Sequence, residues 1–457
     1  MFSLPGLVAL ILLILIKPQE FVPGLEGMPL LYVFLGLTVF GLLVDLKLGL
    51  ARFDPPPQWP YVAVFVPWCL LSQVLNVGGS RAVDSTIELL IVVVIFLVIS
   101  IGARSFGGFQ IVSGALLVAS MFVALVCFNQ GFAPLACAVQ EGAELESLRS
   151  DGRPCNNEAD CLSGDAEPGA IYRCEREGLF GTVSVGRGRV RYRGVLKDPN
   201  EVALTIAAAL PLLVARVSRK RSIGTMSQLF VMAIVIAVTI VFTQSRGGTL
   251  VFMAVLGVYC VKQFGLKGAL AGGLMGLPLL LLGGRSGDEA NASADERTEA
   301  LIEGLQMLRS NPVYGVGYGQ FTEHHTLTAH NSYLLALAEL GLPGFVMFAF
   351  ILYLSIKIPV QALRKYSANN EARVAAAWAL AILASLSGVA VGSFFLSFTY
   401  HQVLWIYFGM SGALYAAIRR HDPTFEVKTG LLEKALIASV CVLFPIALRV
   451  FLLSKGH

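Results

Sequence analysis

Charge is what this chain has least of. Only 14% of its 457 residues are Asp, Glu, Lys or Arg, against about a quarter in soluble domains. Hydrophobic residues make up 56%, and the mean hydropathy is +0.71. Too little polar surface is left to cover a water-facing exterior, which excludes a cytosolic enzyme, a secreted disulfide scaffold and a disordered tail. The net charge of +4 gives no argument for a nucleic-acid partner. Internal repeats, low-complexity segments, CxxC pairs, a phosphate loop and a serine-triad pattern are also missing. What the chain does have is apolar runs of membrane-spanning length.

These runs fall at 2–16, 28–44, 60–76, 87–102, 110–128, 201–217, 227–243, 247–263, 267–284, 332–356, 373–395, 398–418 and 431–454. They predict an all-α polytopic membrane protein of about 12–13 transmembrane helices with two large loops. The first run is preceded by no basic residue and followed by no small-residue cleavage site, so it reads as a retained helix rather than a signal peptide. Basic residues gather in every second connection: Lys47 with Arg52, Arg104, Arg216 with Arg219 to Arg221, Lys262 with Lys267, Lys357 with Arg364 and Lys365, and Arg419 with Arg420 and Lys428. By the positive-inside rule the N-terminus is cytoplasmic and the long connections face outward. The chain then divides into N-terminal spans (1–128), a first long loop (129–200), further spans (201–284), a second long loop (285–331) and C-terminal spans (332–457).

Long loops between spans usually carry function. The first holds Cys137, Cys155, Cys161 and Cys174. Four cysteines in an exported loop predict two disulfides, with three pairings open. A zinc site is the rival, but the spacing has no CxxC pair and no histidine is near. The loop ends in SVGRGRVRYRGVLKDPNEVAL, where Arg187, Arg189, Arg191 and Arg193 alternate. In a strand all four would point one way, forming a basic strip that steers an anionic substrate, lies on lipid headgroups or is merely solvated. Asp198 and Glu201 suit the start of the next helix.

Arg246, in TQSRGGTL, sits between two runs joined by almost no connection, at the outer membrane boundary. Alone it would read as an arginine snorkelling to headgroups. Residues 297–309 read as an amphipathic surface helix with Arg297 near its start, followed by the glycine-rich turn NPVYGVGYGQF. No strand precedes that turn, so it is not a dinucleotide site. Arg285 and Arg309 lie on the same loop, and surface arginines are the plain reading of most of these. His330 stands at the mouth of a helix beginning near Asn331. A neutral imidazole there is a credible general base, the plain alternative being a hydrogen-bonded interfacial histidine. His324 and His325 lack the carboxylate or cysteine that would complete a metal site. Arginines and one histidine at the outer boundary suit an anionic, lipid-linked substrate: guanidinium groups bind diphosphate in bidentate fashion and neutralise it as it departs. That points to glycosyl transfer from a polyprenyl diphosphate.

Four strings make the chain resemble the bacterial O-antigen ligase/polymerase superfamily: Arg246-Gly247-Gly248-Thr249-Leu250, His330-Asn331 followed at full spacing by Gly341-Leu342-Pro343-Gly344, and the DPNEVAL and NPVYGVGYGQF segments. The resemblance covers about 185–350; the first 130 residues match in hydrophobic pattern alone. It implies about twelve spans in a GT-C-like architecture, with a large periplasmic loop before the histidine. It implies metal-independent, inverting transfer without a cofactor, His330 acting as base and Arg246 as the first diphosphate-binding arginine. Arg297, or alternatively Arg285, supplies the second, and Asn331 and the alternating arginines line the substrate. The implied donor is an undecaprenyl-diphosphate-linked glycan. The acceptor is lipid A core or a second lipid-linked glycan, and the site is the periplasmic face of the bacterial inner membrane. Ligase and polymerase share this chemistry, and the arginine strip leans toward polymerase. A protein O-oligosaccharyltransferase of the same superfamily, or a non-enzymatic polysaccharide exporter or flippase, are the alternatives; the last predicts charge buried along a mid-membrane path. The cysteine-bearing loop departs from the family pattern.

Overall fold

The computed structural model describes residues 1–78, 82–140, 148–163, 166, 169–186, 188–218, 222–265, 267–268, 288–369 and 372–455. Among them are fourteen α-helices: α1 (Ser3–Ile16), α2 (Leu30–Lys47), α3 (Trp59–Val77), α4 (Ala82–Gly102), α5 (Phe106–Phe132), α6 (Pro199–Ser218), α7 (Ile223–Thr243), α8 (Arg246–Phe264), α9 (Asp288–Ser310), α10 (Phe321–His324), α11 (Ser332–Tyr366), α12 (Arg373–Gly392), α13 (Gln402–Arg419) and α14 (Leu431–Ser454). Ten of them are long and apolar enough to cross a membrane by length and composition, and α4 adds a shorter apolar stretch, Thr86–Gly102. The protein is an all-α polytopic membrane protein. Of the apolar run expected at 267–284, all but residues 267–268 lies outside the described residues.

The chain forms two compact units. One comprises 1–7, 35–112 and 286–457. Its axis is α11, which packs against α3, α9, α12, α13 and α14, while α4 packs along α13. Phe65, Phe96, Trp405, Tyr407 and Phe408 are fully buried there. By contrast α14 leaves Leu431, Leu432, Leu436, Leu443 and Leu453 exposed, an apolar face suited to lipid. Within the same unit Asp45 of α2 is buried because it works as a cap: it accepts from Phe2 N (2.8 Å), Ser3 N (3.0 Å) and Ser3 Oγ (2.7 Å), the orphan donors that open α1.

The second unit comprises 8–34 and 113–285. Here α6 packs against α7 and α8 and is buried almost all round, as its uniformly apolar sequence requires. The long connection before α6 carries a small antiparallel sheet of order β2-β1-β3: β1 Leu135–Gln140, β2 Leu148–Pro154 and β3 Tyr172–Arg176. Two disulfides close it, Cys137–Cys161 and Cys155–Cys174. The four cysteines and Tyr172 are the core of this element. A piece this small buries too little apolar surface to hold itself together, and covalent closure replaces the missing core.

Candidate active site

The start of α11 is built by Asn331. Its Oδ1 accepts from Tyr333 N and Leu334 N, both at 3.0 Å, which satisfies two of the four donors a helix start leaves open. Ser332 ties that turn to the connection between α12 and α13. Its N donates to Ser393 O (2.7 Å) and its Oγ to Leu396 O (2.6 Å), while Phe398 N and Thr399 Oγ1 donate back to Ser332 at 2.7 Å each. Thr328 Oγ1 meets Ser397 Oγ at 2.8 Å on the other side of the cap.

Between these two ties stands His330, half-buried, with φ +48°. The left-handed region costs a residue with a side chain about 1–2 kcal/mol. Such a residue persists where its surroundings over-determine it, and these sites concentrate where chemistry is done. Ala329, directly before it, belongs to a buried cluster with Ala300 and Met307 of α9, Val316, Phe321, Leu334, Leu335 and Ala338. Arg297 is one turn before Ala300 on α9 and is half-buried. Ala329 and Ala300, sequence neighbours of His330 and Arg297, thus share one core. His325 uses its own Nδ1 locally, against Leu327 N at 3.1 Å.

Arg246 belongs to the other unit. It is the exposed first residue of α8. Ser245 caps that helix, accepting from Gly248 N at 2.8 Å and donating to Asn200 Oδ1 at 2.5 Å. Gly248 has to be glycine, since a Cβ there would collide with Ala203 of α6. Asn200 N donates to Asp198 Oδ1 (2.6 Å) and Asp198 N to Glu201 Oε2 (3.1 Å), a reciprocal cap at the start of α6.

Among the described residues, Arg189, Arg191 and Arg193 do not form a solvent-facing strip. Arg189 pairs with Val185 in an isolated bridge and residues 190–193 form no strand, so alternation in sequence does not become one face. Arg189 is 8% exposed and donates Nε to Thr243 O (3.1 Å); Arg191 is 5% exposed and donates Nε to Val183 O (2.9 Å). Arg193 donates to Glu20 O (2.8 Å) and to Phe180 O. Arg189 and Arg191 thereby satisfy carbonyls that would otherwise be buried unpaired. Arg187 and Arg285 lie outside the described residues.

Sequence reasoning missed the break in α11. Gly341, at φ +66° and ψ −173°, interrupts the helix, and a Cβ there would collide with Val313 O. The carbonyls released by the break are all taken: Ala338 O by Val316 N (3.0 Å), Glu339 O by Gly317 N (3.0 Å) and Ser72 Oγ (2.9 Å), and Leu340 O by Trp68 Nε1 (2.9 Å). Leu342 N returns a bond to Pro312 O at 2.9 Å. The glycine turn NPVYGVGYG is thus the partner of the GLPG break, and Gly315 packs so tightly on Glu339 that no side chain fits. Glu339 was missed as well, though a lone carboxylate inside an apolar run was signal enough. Tyr318 and Tyr400 meet edge to face at 4.5 Å beside it. Burial pushes both phenols well above their usual range, and nearby carboxylates, Glu339 among them, add to it.

Residues 203–349 match the family model described as O-antigen ligase. That stretch runs from α6 through Arg246, α9, the glycine turn and His330 to just past the break in α11. None of the curated proteins matches the chain. Over this segment the chain is similar to the O-antigen ligase family.

Proposed function

We propose that this protein is an inverting glycosyltransferase of the ligase or polymerase type in the bacterial inner membrane. It moves a glycan from undecaprenyl diphosphate to a hydroxyl acceptor on the periplasmic face, the acceptor being lipid A core or a second lipid-linked glycan. His330 takes the proton of the acceptor hydroxyl, the freed oxygen attacks the anomeric carbon, and the bond to diphosphate breaks with its electron pair leaving on phosphate. Arg246 and Arg297 stabilise that departing charge, a task that needs no metal. The observation that carries this reading is the left-handed, half-buried His330 at the lip of α11, inside the family-matched segment. An imidazole titrates near neutral pH, which suits it to proton transfer. Exposure of Arg246 at a helix N-terminus adds to the reading, since donors and dipole there favour an anion. The arginine strip no longer tilts the choice toward polymerase, because Arg189, Arg191 and Arg193 are engaged with backbone carbonyls.

The test is transfer activity in proteoliposomes supplied with native lipid-linked glycan and acceptor. His330→Ala should lose roughly 100-fold or more while inserting normally. Arg246→Lys should fall nearly as far as Arg246→Ala, because an ammonium cannot replace a bidentate fork. EDTA should leave turnover intact. Wild-type turnover by His330→Ala overturns the mechanism.

A further inference from the structure

Glu339 is 2% exposed within α11. Its Oε1 accepts from Phe321 N at 3.0 Å, and the Gly319 amide and Tyr400 hydroxyl also face the carboxylate. Its main-chain carbonyl is held by Ser72 Oγ and Gly317 N. One residue thus touches α3, the glycine turn, the first residue of α10 and the connection that ends at α13. A carboxylate at this depth is expensive, and an apolar side chain of similar volume would pack at lower cost, so its presence asks for a function.

The backbone around His330 supplies one. On its C-terminal side His330 is held by the Asn331 cap and the Ser332 ties. On its N-terminal side the chain runs back to Phe321, which is buried in the same cluster as Ala329 and whose amide is pinned by Glu339. A left-handed residue stays put only while both flanks are fixed. We propose that Glu339 is a positioning residue for His330: it anchors the far end of the 321–329 segment and so keeps the imidazole in its working orientation. This rests on the reading of His330 as the base.

The test uses the full-length protein in proteoliposomes with undecaprenyl-diphosphate-linked glycan and acceptor extracted from the source membranes. Glu339→Ala should lower kcat at least tenfold, leave the donor KM within about twofold, and speed proteolytic cleavage between residues 321 and 330. Glu339→Gln, which keeps an oxygen for the Phe321 amide, should recover most of kcat and restore protection from protease. A wild-type kcat in Glu339→Ala overturns the proposal, as does a Gln variant that folds yet is no better than Ala. Should Glu339→Ala fail to insert, the Gln variant and Tyr400→Phe decide. Both should keep kcat within a fewfold of wild type, and loss as deep as that of His330→Ala would mean chemistry rather than positioning. His330→Ala in the same assay separates the two ideas. If it is active, the base reading fails; if it is dead while Glu339→Ala is fully active, only the positioning role fails.

Discussion

Two irregular segments of this protein are held in opposite ways. The sheet at 135–176 is closed by covalent bonds, and its core is little more than its own four cysteines and Tyr172. The turn at 311–320 has no covalent tie. It survives by trading hydrogen bonds with a helix that has been opened to receive it, while Trp68, stacked on Tyr314 at 5.3 Å, closes the side. The first solution suits a segment with too little to bury, and the second suits backbone beside apolar helices, where every amide and carbonyl needs a partner inside the protein. One is vulnerable to reductant and tolerant of side-chain change. The other is indifferent to redox state and intolerant of a single methyl group.

That contrast can be broken from either side. The largest effect should come from Gly341→Ala, which places a Cβ against Val313 O at a φ that alanine resists. We expect a loss of several kcal/mol and little correctly inserted protein, read as monodisperse yield and melting temperature in detergent. Next in size is Cys155→Ser, or reduction of the wild type. Each disulfide closes a loop of about twenty residues, and losing one should cost about 3 kcal/mol. Hydrogen exchange should rise through 135–176 and stay unchanged through 311–320. The smallest is Ser72→Ala, which removes the one hydroxyl shared between Tyr314 O (2.6 Å) and Glu339 O (2.9 Å). It should cost about 1 kcal/mol, visible as faster exchange at Val316 and Gly317 with the sheet untouched. If Ser72→Ala and Cys155→Ser loosened the same residues, the distinction would collapse.

Most of the architecture was legible because hydropathy reports on spans directly. The run expected at 332–356 marks α11, yet the helix continues to Tyr366. Hydrogen bonding along the backbone carries on where the side chains turn polar, and an apolar count stops there. The loop cysteines were readable as disulfides and not as a pairing, because pairing depends on the strand register that sets Cys137 opposite Cys174 while bonding each to another partner. His330 and Asn331 were visible as a helix mouth; the left-handed φ was not, since it is imposed by ties from residues 393–399 far along the chain. The arginine alternation misled because period two means one face only in a strand, and residues 190–193 form none. Asp45 and Glu339 went unread for a related reason: averaging over an apolar window hides the single polar residue whose partner lies on another element.

The break at Gly341 also bears on how this protein meets bilayers of different thickness. The part of α11 after the glycine is about 37 Å long at 1.5 Å per residue, enough to cross a hydrocarbon core of about 30 Å without help. The stretch from Ser332 to the break is therefore surplus to the crossing. Its tilt is set by the protein neighbours it is bonded to rather than by the lipid it would have to match. If His330 serves as the proposed base, its place at the lip of that stretch should hold its depth and aim when acyl chains lengthen or shorten, and turnover should then vary little with the thickness of the membrane.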